Sequence, residues 1–408
     1  MRRLLALSAV LLAGTLGLSG RQVAQKPTLS SSTLAATGPT DLATNPPRVP
    51  ASEVTVYSLF PVSSRTVWAY WGADNNGVEQ GLELTNDSGR TWTDVTPPGL
   101  DEAAGNKFIL NVFALDALHA WATYGRPTYG LPGSEATQTM VSTSDSGRHW
   151  TVVGRVPGYG CHLQFVTALD GWCPSIGAAM GSAGVDLYRT TNGGRHWTLV
   201  SSTTPQTHTL AALPFGCDKT IRFTSVNVGW AVFFCNGGLA SLYETTDGGA
   251  RWIQREVATP PFSFAFGGFS GIPQVIGNEG AVGYQFIRAN GFPRTVVYVT
   301  EDAGTSWHAV LPPGPGRPWA VDALTPRSWR LIDGDEILAT TNAGRSWSSF
   351  KCNVSFSPDN VSLVPGPIDF INDEVGWISN LSPQTGGHLL WRTNDGGVIW
   401  IRVTVPGE

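Results

Sequence analysis

The sequence predicts an all-β protein, a seven-bladed β-propeller whose blades are four-stranded antiparallel sheets. Two observations carry this prediction. One turn motif, Thr-x-(Asp/Asn)-x-Gly-x-x-Trp, occurs seven times, and an apolar strand followed by a polar turn and an aromatic residue comes before it in most repeats. The composition agrees, because 48 Gly, 28 Pro and 16 Trp among 408 residues suit many turns and large aromatic side chains between sheets. The repeats run without interruption, so we expect one repeat domain over residues 53–408.

The N-terminal residues carry the pattern of an export signal. Arg2 and Arg3 precede an apolar run from Leu4 to Leu18, which matches the basic and apolar regions of a secretory peptide. We therefore expect residues 1–20 to be a signal peptide, with an uncleaved N-terminal anchor as the alternative because the cleavage site is poorly defined. Residues 21–52 are rich in Ser, Thr, Pro and Ala and predict a disordered stalk. The expected location is extracellular or in the cell envelope.

Seven copies of the turn motif organise the chain. They read TNDSGRTW, TSDSGRHW, TTNGGRHW, TTDGGARW, TEDAGTSW, TTNAGRSW and TNDGGVIW, and they begin at Thr85, Thr143, Thr190, Thr245, Thr300, Thr340 and Thr393. Their closing Trp residues lie 40 to 58 residues apart, a period typical of propeller blades. In each copy a Gly follows an Asp or Asn by two positions, a pairing that favours a tight turn between two strands.

A second element precedes most copies of the motif. It is an apolar strand, a polar turn and a Trp, and it ends at Trp68, Trp121, Trp172, Trp230, Trp329 and Trp377. The fifth repeat is the exception, since its Gly-rich stretch ends in Tyr284 where a Trp is expected. Together the two elements predict four antiparallel strands per repeat. A single sheet of this kind has two apolar faces, so the repeats must stack around a ring.

These motifs give the chain a resemblance to a known family. The turn resembles the BNR or Asp-box repeat, and the version with a GW element before each box is similar to the photosystem II assembly and stability factors. The resemblance covers about residues 54 to 405 and implies a propeller. It does not imply one activity, because sialidases, xyloglucanases and sortilin-type receptors share the repeat. It implies that the box residues stabilise the fold, namely Asp87, Asp145, Asn192, Asp247, Asp302, Asn342 and Asp395.

Five cysteines fit an oxidising compartment. Cys161 and Cys173 flank the first strand of the third repeat, and Cys217 and Cys235 flank the corresponding strand of the fourth. We therefore expect two disulfides, Cys161–Cys173 and Cys217–Cys235. Cys352 has no matching partner and is expected to be a free or buried thiol. Metal binding is the alternative, but no CxxC or HxxxH spacing accompanies these residues, so neither a metal nor another cofactor is predicted.

The sequence presents no complete catalytic set. It lacks the Arg-Ile-Pro signature that a sialidase carries near its start, and it contains no GxSxG motif. Asp333, Asp335 and Glu336 offer carboxylates to a glycosidase, but Asp-Gly-Asp between two apolar runs is more typical of a hairpin turn. Other carboxylates recur before GW in most repeats, which favours a structural turn: Asp116, Asp170, Asp322, Asp373 and Glu374. No catalytic residue is predicted.

Residues that break the repeat are better candidates for binding. When the innermost strands are aligned on Phe113, Phe165, Phe223 and Phe370, the preceding residues are Val112, Gln164, Arg222 and Asp369. Alternation along a strand directs these residues away from the Phe side chains and toward a central channel. His162 lies two residues before Gln164, on the same face. The candidate binding residues are His162, Gln164, Arg222 and Asp369, and the alternative is a solvated channel with an incidental Arg–Asp pair.

Three functions fit these features. The first is a non-catalytic extracytoplasmic propeller that binds a protein partner or an assembly intermediate, as the resemblance to assembly factors implies. The second is a secreted glycoside hydrolase or carbohydrate-binding protein, and the third is a structural cell-surface protein. We predict the first, acting as a monomer, with a glycan as the other ligand to consider. The net charge of −5 argues against nucleic acid, and membrane contact is expected only through the N-terminal segment.

Overall fold

A computed structural model gives the fold of the chain. It describes residues 33–35, 54–73, 80–98, 108–125, 138–157, 161–176, 184–203, 211–213, 218–234, 241–269, 271–288, 293–314, 320–356, 368–381 and 388–404. The expected signal peptide and most of the expected stalk lie outside these ranges. Within them every regular element is a β-strand, and the described part contains no helix that is long and apolar enough to cross a membrane.

The described strands fall into seven groups of four, which we call blades 1 to 7 in chain order. Blade 1 comprises β2 (Val54–Pro61), β3 (Val67–Ala73), β4 (Gln80–Thr85) and β5 (Thr93–Asp94). Blade 2 comprises β6 (Phe108–Ala114), β7 (Ala120–Gly125), β8 (Gln138–Thr143) and β9 (His149–Val156). Blade 3 comprises β10 (Gln164–Phe165), β11 (Gly171–Ile176), β12 (Val185–Thr190) and β13 (Thr198–Ser202). Within each of these blades, neighbours in the chain pair antiparallel.

The remaining blades follow the same order. Blades 4 to 7 comprise β15 (Asp218–Phe223), β16 (Gly229–Phe234), β17 (Ser241–Thr245) and β18 (Ile253–Val257); β19 (Phe264–Phe269), β21 (Glu279–Arg288), β22 (Pro293–Thr300) and β23 (Ser306–Val310); β24 (Ala320–Ala323), β25 (Trp329–Asp333), β26 (Glu336–Thr340) and β27 (Ser348–Lys351); and β28 (Ile368–Phe370), β29 (Gly376–Leu381), β30 (His388–Thr393) and β31 (Trp400–Val403). First strands of three pairs of neighbouring blades contact one another, β2 with β6, β10 with β15 and β24 with β28, so they form the inner side of the ring.

Three short strands and one cross-blade pairing complete the sheets. β1 (Thr33–Ala35) pairs with the outer strand β9, β14 (Ala211–Ala212) runs parallel to β13, and β20 (Gln274–Ile276) pairs with β21. The outer strands β18 and β23 also pair in parallel, Val257 opposite Trp307. Blades 4 and 5 therefore share one nine-stranded sheet.

Side-chain packing closes the ring. Seven clusters of buried apolar side chains each lie between two successive blades. The closing cluster brings Trp377 and Leu390 of blade 7 against Val56 and Trp71 of blade 1. Burial of such large apolar surfaces is the main favourable term in folding. The predicted all-β propeller of four-stranded antiparallel sheets is confirmed.

The seven turn motifs, here called box turns, share one hydrogen-bond scheme. In blade 5 the Thr300 hydroxyl donates to Asp302 Oδ1 at 2.7 Å and accepts from the Gly304 amide at 2.9 Å. Asp302 Oδ1 also accepts from the Ser306 amide at 2.9 Å. The same contacts recur in the other box turns. Each turn therefore satisfies the Thr hydroxyl, one side-chain oxygen of the Asp or Asn and two main-chain amides from within.

The box glycines have a second role besides the turn. All seven have φ between +76° and +103°, a region that residues with a Cβ rarely adopt. A Cβ would also strike the preceding blade: at Gly304 it would lie 2.4 Å from Cη2 of Trp230. The corresponding neighbours are Val403 at Gly89, Val95 at Gly147, Met140 at Gly194, Leu187 at Gly249, Val310 at Gly344 and Ile337 at Gly397. Each glycine thus lets two blades approach closely.

Blade 5 departs from the sequence interpretation at one position. Gly280 pairs with the box residue Thr300, as the glycine of each GW element does in other blades. The residue that follows, Ala281, therefore occupies the Trp position, and Tyr284 lies three residues further along β21. The expectation placed on Tyr284 was wrong because the Gly-rich stretch hid the register. Tyr284 is buried and donates to the Gly267 carbonyl at 2.7 Å.

The cysteines divide into a bonded pair and a buried thiol. Cys161 and Cys173 form a disulfide, with Cα atoms 5.2 Å apart. Cys217 and Cys235, the second expected pair, lie outside the described residues. Cys352 is free of disulfides in the described part of the chain and is buried. Burial raises the pKa of its thiol, which keeps the group protonated and unreactive.

Candidate binding site in the channel

The structure places the four predicted channel residues on or beside inner strands of three blades. His162 precedes β10 in blade 3, and Gln164 begins that strand. Arg222 lies on β15 of blade 4, and Asp369 lies on β28 of blade 7. His162, Arg222 and Asp369 are exposed, whereas Gln164 is buried.

Gln164 joins two blades. Its amide nitrogen donates to the Ile221 carbonyl at 3.0 Å, and its amide oxygen accepts from the Phe223 amide at 2.8 Å. Both bonds end on β15, the inner strand of the next blade. The side chain is therefore engaged between blades 3 and 4 instead of projecting into the channel, because β15 is the edge strand of its sheet and leaves main-chain groups to be satisfied.

The same kind of link occurs at two other junctions. Asn111 of blade 2 accepts from the Leu163 amide of blade 3 at 3.1 Å. Asp322 of blade 6 accepts from the Phe370 amide of blade 7 at 2.6 Å. Polar side chains on inner strands thus fasten neighbouring blades by bonding to main-chain amides.

Asp322 is the channel residue that the sequence interpretation missed. The sequence pattern predicts a structural turn at Asp322, but the residue lies within the inner strand β24, directly opposite Arg330. The alignment of inner strands on Phe residues omitted this blade, because Ala323 stands where the other blades have Phe. An alignment of Asp322–Ala323 with Asp369–Phe370 would have found it.

Asp322, Asp369 and Arg222 form one electrostatic group. Burial raises the pKa of Asp322 to about 7, and the charge of Asp369 adds to the shift. The protein around Asp369 removes part of the hydration of its exposed carboxyl group and raises its pKa to about 6, against the opposing effect of Arg222. The same loss of hydration lowers the pKa of the Arg222 guanidinium, while Asp369 acts to raise it. The channel side of blades 4, 6 and 7 therefore holds charges that are only partly neutralised.

His162 is the fourth predicted channel residue and lies beside the inner strand of blade 3. Its ring is exposed, but the surrounding protein removes part of its hydration and lowers the pKa of the imidazole. The ring is therefore mainly neutral at pH 7, and it offers one donor and one acceptor. A guanidinium, two carboxylates and an imidazole together suit polar groups of a peptide ligand. Among the described residues, no group of three His, Cys, Asp or Glu is arranged to hold a metal ion.

The box carboxylates Asp87 and Asp302 behave in the opposite way. Hydrogen bonds from the hydroxyl and amide of Ser306 lower the pKa of Asp302 to about 2. Burial acts to raise the pKa of Asp87, but hydrogen bonds from Thr91, Thr85 and Arg90 lower it overall. These side chains are occupied within their own turns, in line with the structural role that the resemblance implies.

Comparison with known protein families gives one match, over the middle of the chain. A family model described as photosynthesis system II assembly factor YCF48 matches residues 209–357, which span blades 4 to 6. The predicted resemblance is confirmed. Arg222 and Asp322 both lie within the matched stretch. A comparison with curated protein sequences found no match.

Several solved structures are similar to this chain at low identity. "YCF48 bound to D1 peptide" is 14% identical with a TM-score of 0.48, over 92% of this chain and 95% of that chain. A prolyl endopeptidase structure is 10% identical with a TM-score of 0.55, over 87% of this chain and 51% of that chain. The GH93 α-L-arabinofuranosidase of Fusarium graminearum is 11% identical with a TM-score of 0.40, over 72% and 92%. At such identities the likeness concerns the fold alone.

Proposed function

We propose that this protein is an exported, non-catalytic β-propeller that binds a protein partner or an assembly intermediate, in the manner of the photosystem II assembly factors. The observation that carries the proposal is the family match over residues 209–357, since that stretch contains two of the charged channel residues. A box carboxylate that is satisfied within its own turn is a poor ligand. Channel charges that remain partly unpaired are available to a partner.

Each channel residue has a distinct proposed role. Arg222 binds a carboxylate or carbonyl oxygen of the partner, since a guanidinium can donate two parallel hydrogen bonds. Asp369 and Asp322 accept from amides or a basic side chain, and His162 supplies a neutral donor and acceptor. Burial makes these contacts stronger than they would be on an open surface. Gln164 and Asn111 hold the inner strands in place around them.

Export and oxidation belong to the same proposal. The disulfide between Cys161 and Cys173 supports an oxidising compartment. We also propose that residues 1–20 are removed as a signal peptide and that residues 21–52 form a stalk. N-terminal sequencing of the mature protein from its own cell envelope would identify the first residue and so decide between cleavage and anchoring.

The partner proposal is tested by crosslinking in the native envelope. The wild-type protein is compared with Arg222→Ala and with Arg345→Ala, a matched change at an exposed arginine on the outer side of blade 6. Mass spectrometry should recover a protein crosslinked to the wild type and to Arg345→Ala, and much less of it with Arg222→Ala. Equal recovery with all three proteins, or recovery of the bait alone, would contradict binding through the channel.

A glycoside hydrolase remains a second candidate because of one observation. Asp322 and Asp369 are neighbouring carboxylates with raised pKa values, and paired carboxylates of this kind carry out acid–base chemistry in glycosidases. The test is hydrolysis of chromogenic sialosides, arabinosides and β-glucans by the purified protein. Activity that disappears in both Asp322→Asn and Asp369→Asn would favour this candidate over partner binding.

A further inference from the structure

Blade 7 carries an exposed apolar strip at its box turn. Val398, Ile399 and Ile401 are 43%, 51% and 56% exposed. In the other six box turns the two residues before the closing Trp are Arg90–Thr91, Arg148–His149, Arg195–His196, Ala250–Arg251, Thr305–Ser306 and Arg345–Ser346. A single exposed apolar side chain is ordinary, but three close together mark an interaction surface.

The apolar residue at position 399 removes a hydrogen bond from the turn. In blade 1 the Thr91 hydroxyl donates to Asp87 Oδ2 at 2.7 Å, and in blade 5 the Ser306 hydroxyl donates to Asp302 in the same way. Ile399 has no such donor, and no described residue donates to Asp395 Oδ2. Blade 7 thus has one bond fewer than blades 1 and 5 and more exposed apolar surface, a combination that the stability of the turn does not explain.

A groove runs beside the strip, between the box turns of blades 6 and 7. Its volume is about 450 Å³, and its lining includes Ser346, Trp347, Asp373, Asp395 and Val398. This volume lies in the range of sites that accept a side chain or a small ligand. The half-buried ring of Trp347 gives the groove an aromatic wall.

The charges of the groove favour a cation. Asp373 Oδ1 accepts from the Ser328 hydroxyl at 2.5 Å and from Arg330 Nη2 at 3.1 Å, and the Asp373 side chain remains 60% exposed. Arg330 is buried and, among the described residues, is the sole basic residue lining the groove. Asp395 and the adjacent Glu374 are exposed. Three carboxylates beside one guanidinium leave negative charge, and an aromatic wall adds attraction for an ammonium or guanidinium group.

The edge of β31 is closed to strand addition at its first residue, Trp400. The Asn353 side chain accepts from the Trp400 amide at 2.7 Å and donates to the Trp400 carbonyl at 3.0 Å. The Asn353 amide donates to the Val398 carbonyl at 3.3 Å. A partner would therefore be recognised here through side chains, not by extension of the sheet.

We propose that this groove and the strip of Val398, Ile399 and Ile401 form a docking surface for a protein segment. The segment places a Lys or Arg side chain between Asp373 and Asp395 and apolar side chains against the strip. This surface lies on the outer side of the ring, on the box turns, and its occupant is recognised independently of the channel residues.

The decisive variant replaces the three apolar residues of the strip in blade 7 with the residues at the same positions in blade 1. Val398→Arg, Ile399→Thr and Ile401→Thr together reproduce Arg90, Thr91 and Thr93. The fold should persist, because the new hydroxyl at position 399 restores the missing bond to Asp395 Oδ2. Ile253→Thr in blade 4 is the matched control, since Ile253 is 53% exposed at the position equivalent to Ile401.

The probes are fluorescein-labelled decapeptide libraries with Leu, Ile, Val and Ala randomised around a central Arg, Lys, Glu or Ser. Fluorescence anisotropy should show binding of the Arg and Lys libraries to the wild type and to Ile253→Thr, and at least about tenfold weaker binding to the triple variant. Asp373→Asn with Asp395→Asn should abolish the preference for Arg and Lys over Ser. Equal affinity of the wild type and the triple variant, tighter binding of the Glu library, or no binding of any library would overturn the proposal.

Discussion

The box turns and the channel use carboxylates in opposite ways. Asp302 receives donors from its own turn, and its pKa falls to about 2. Asp322 and Asp369 lie in a partly dehydrated channel with few donors, and their pKa values rise to about 7 and about 6. A carboxylate whose hydrogen bonds are satisfied stabilises a turn. One that is dehydrated and close to another carboxylate is unstable in its ionised form and available to a ligand.

The comparison also separates repetition from asymmetry. The box scheme is the same in all seven blades, so it serves the shape that all blades share. The inner strands differ, because Asn111, Gln164 and Asp322 form links at only some junctions, and Arg222 and Asp369 carry opposite charges. Both proposed binding surfaces therefore consist of residues that differ between blades. In blade 7 such a residue, Ile399, lies in the box turn itself.

The largest expected effect comes from a box glycine. Gly304→Ala introduces a Cβ 2.4 Å from Trp230 at a φ of +87°. We expect the free energy of unfolding to fall by about 3 kcal/mol, because both the left-handed backbone and the close contact are strained. Urea denaturation measures the change. Gly314→Ala is the control: φ is +97° but no atom lies within 4 Å, so it should lose only about 1 kcal/mol. Equal losses would contradict the role of close blade contact.

The box threonine should have the next largest effect. Thr300→Val keeps the shape of the side chain but removes the acceptor of the Gly304 amide and the donor to Asp302. Because Thr300 is 2% exposed, we expect a loss of about 2 kcal/mol from the unsatisfied amide. Thr300→Ser retains the hydroxyl and should lose less than half as much in the same denaturation series. Similar losses would show that the methyl group matters more than the hydrogen bonds.

Asp322→Asn tests the channel side of the comparison and should stabilise the protein. The folded pKa of about 7 lies above the ordinary value of 3.8, so the wild type loses stability as pH rises through this interval. The amide oxygen can still accept from Phe370. At about pH 8 the variant should be more stable by roughly 1–2 kcal/mol, allowing for water in the channel, and the gain should vanish near pH 4. Asp145→Asn, the same change in a box turn where burial acts to raise the carboxyl pKa but hydrogen bonds lower it overall, should give no such gain; if it does, the channel pair is not the cause.

The smallest effect is expected for Asp302→Asn. Asn342 shows that an amide serves in a box turn, since it accepts from Thr340 at 3.0 Å and from the Ser346 amide at 2.9 Å. At neutral pH the unfolding midpoint should not change measurably. The depressed pKa of Asp302 means that its contribution is present above pH 3.8 and is lost as pH falls through about 2. Acid unfolding of the variant should therefore be less steep, and an unchanged acid limb would argue against this role.

Much of the fold was accessible from sequence because its signals are local. The box turns, the four-stranded blades and the Cys161–Cys173 disulfide all follow from residues that are close in the chain. The assignment failed at Tyr284, where no Trp marked the register, and at Asp322, where Ala323 hid an inner strand. The candidate site stays a prediction: Arg222 and Asp369 influence each other electrostatically, and Gln164 links two blades.

The amino-acid sequence by itself determined the turns, since Thr, Asp or Asn, and Gly within five residues satisfy one another whatever surrounds them. It also determined the number of repeats and the residues that depart from them. Only the tertiary structure decided which box glycine touches which blade, how blade 7 meets blade 1, and which carboxylates share the channel. Those properties depend on distances between residues far apart in the chain, and burial and charge at such distances arise only after the blades have packed.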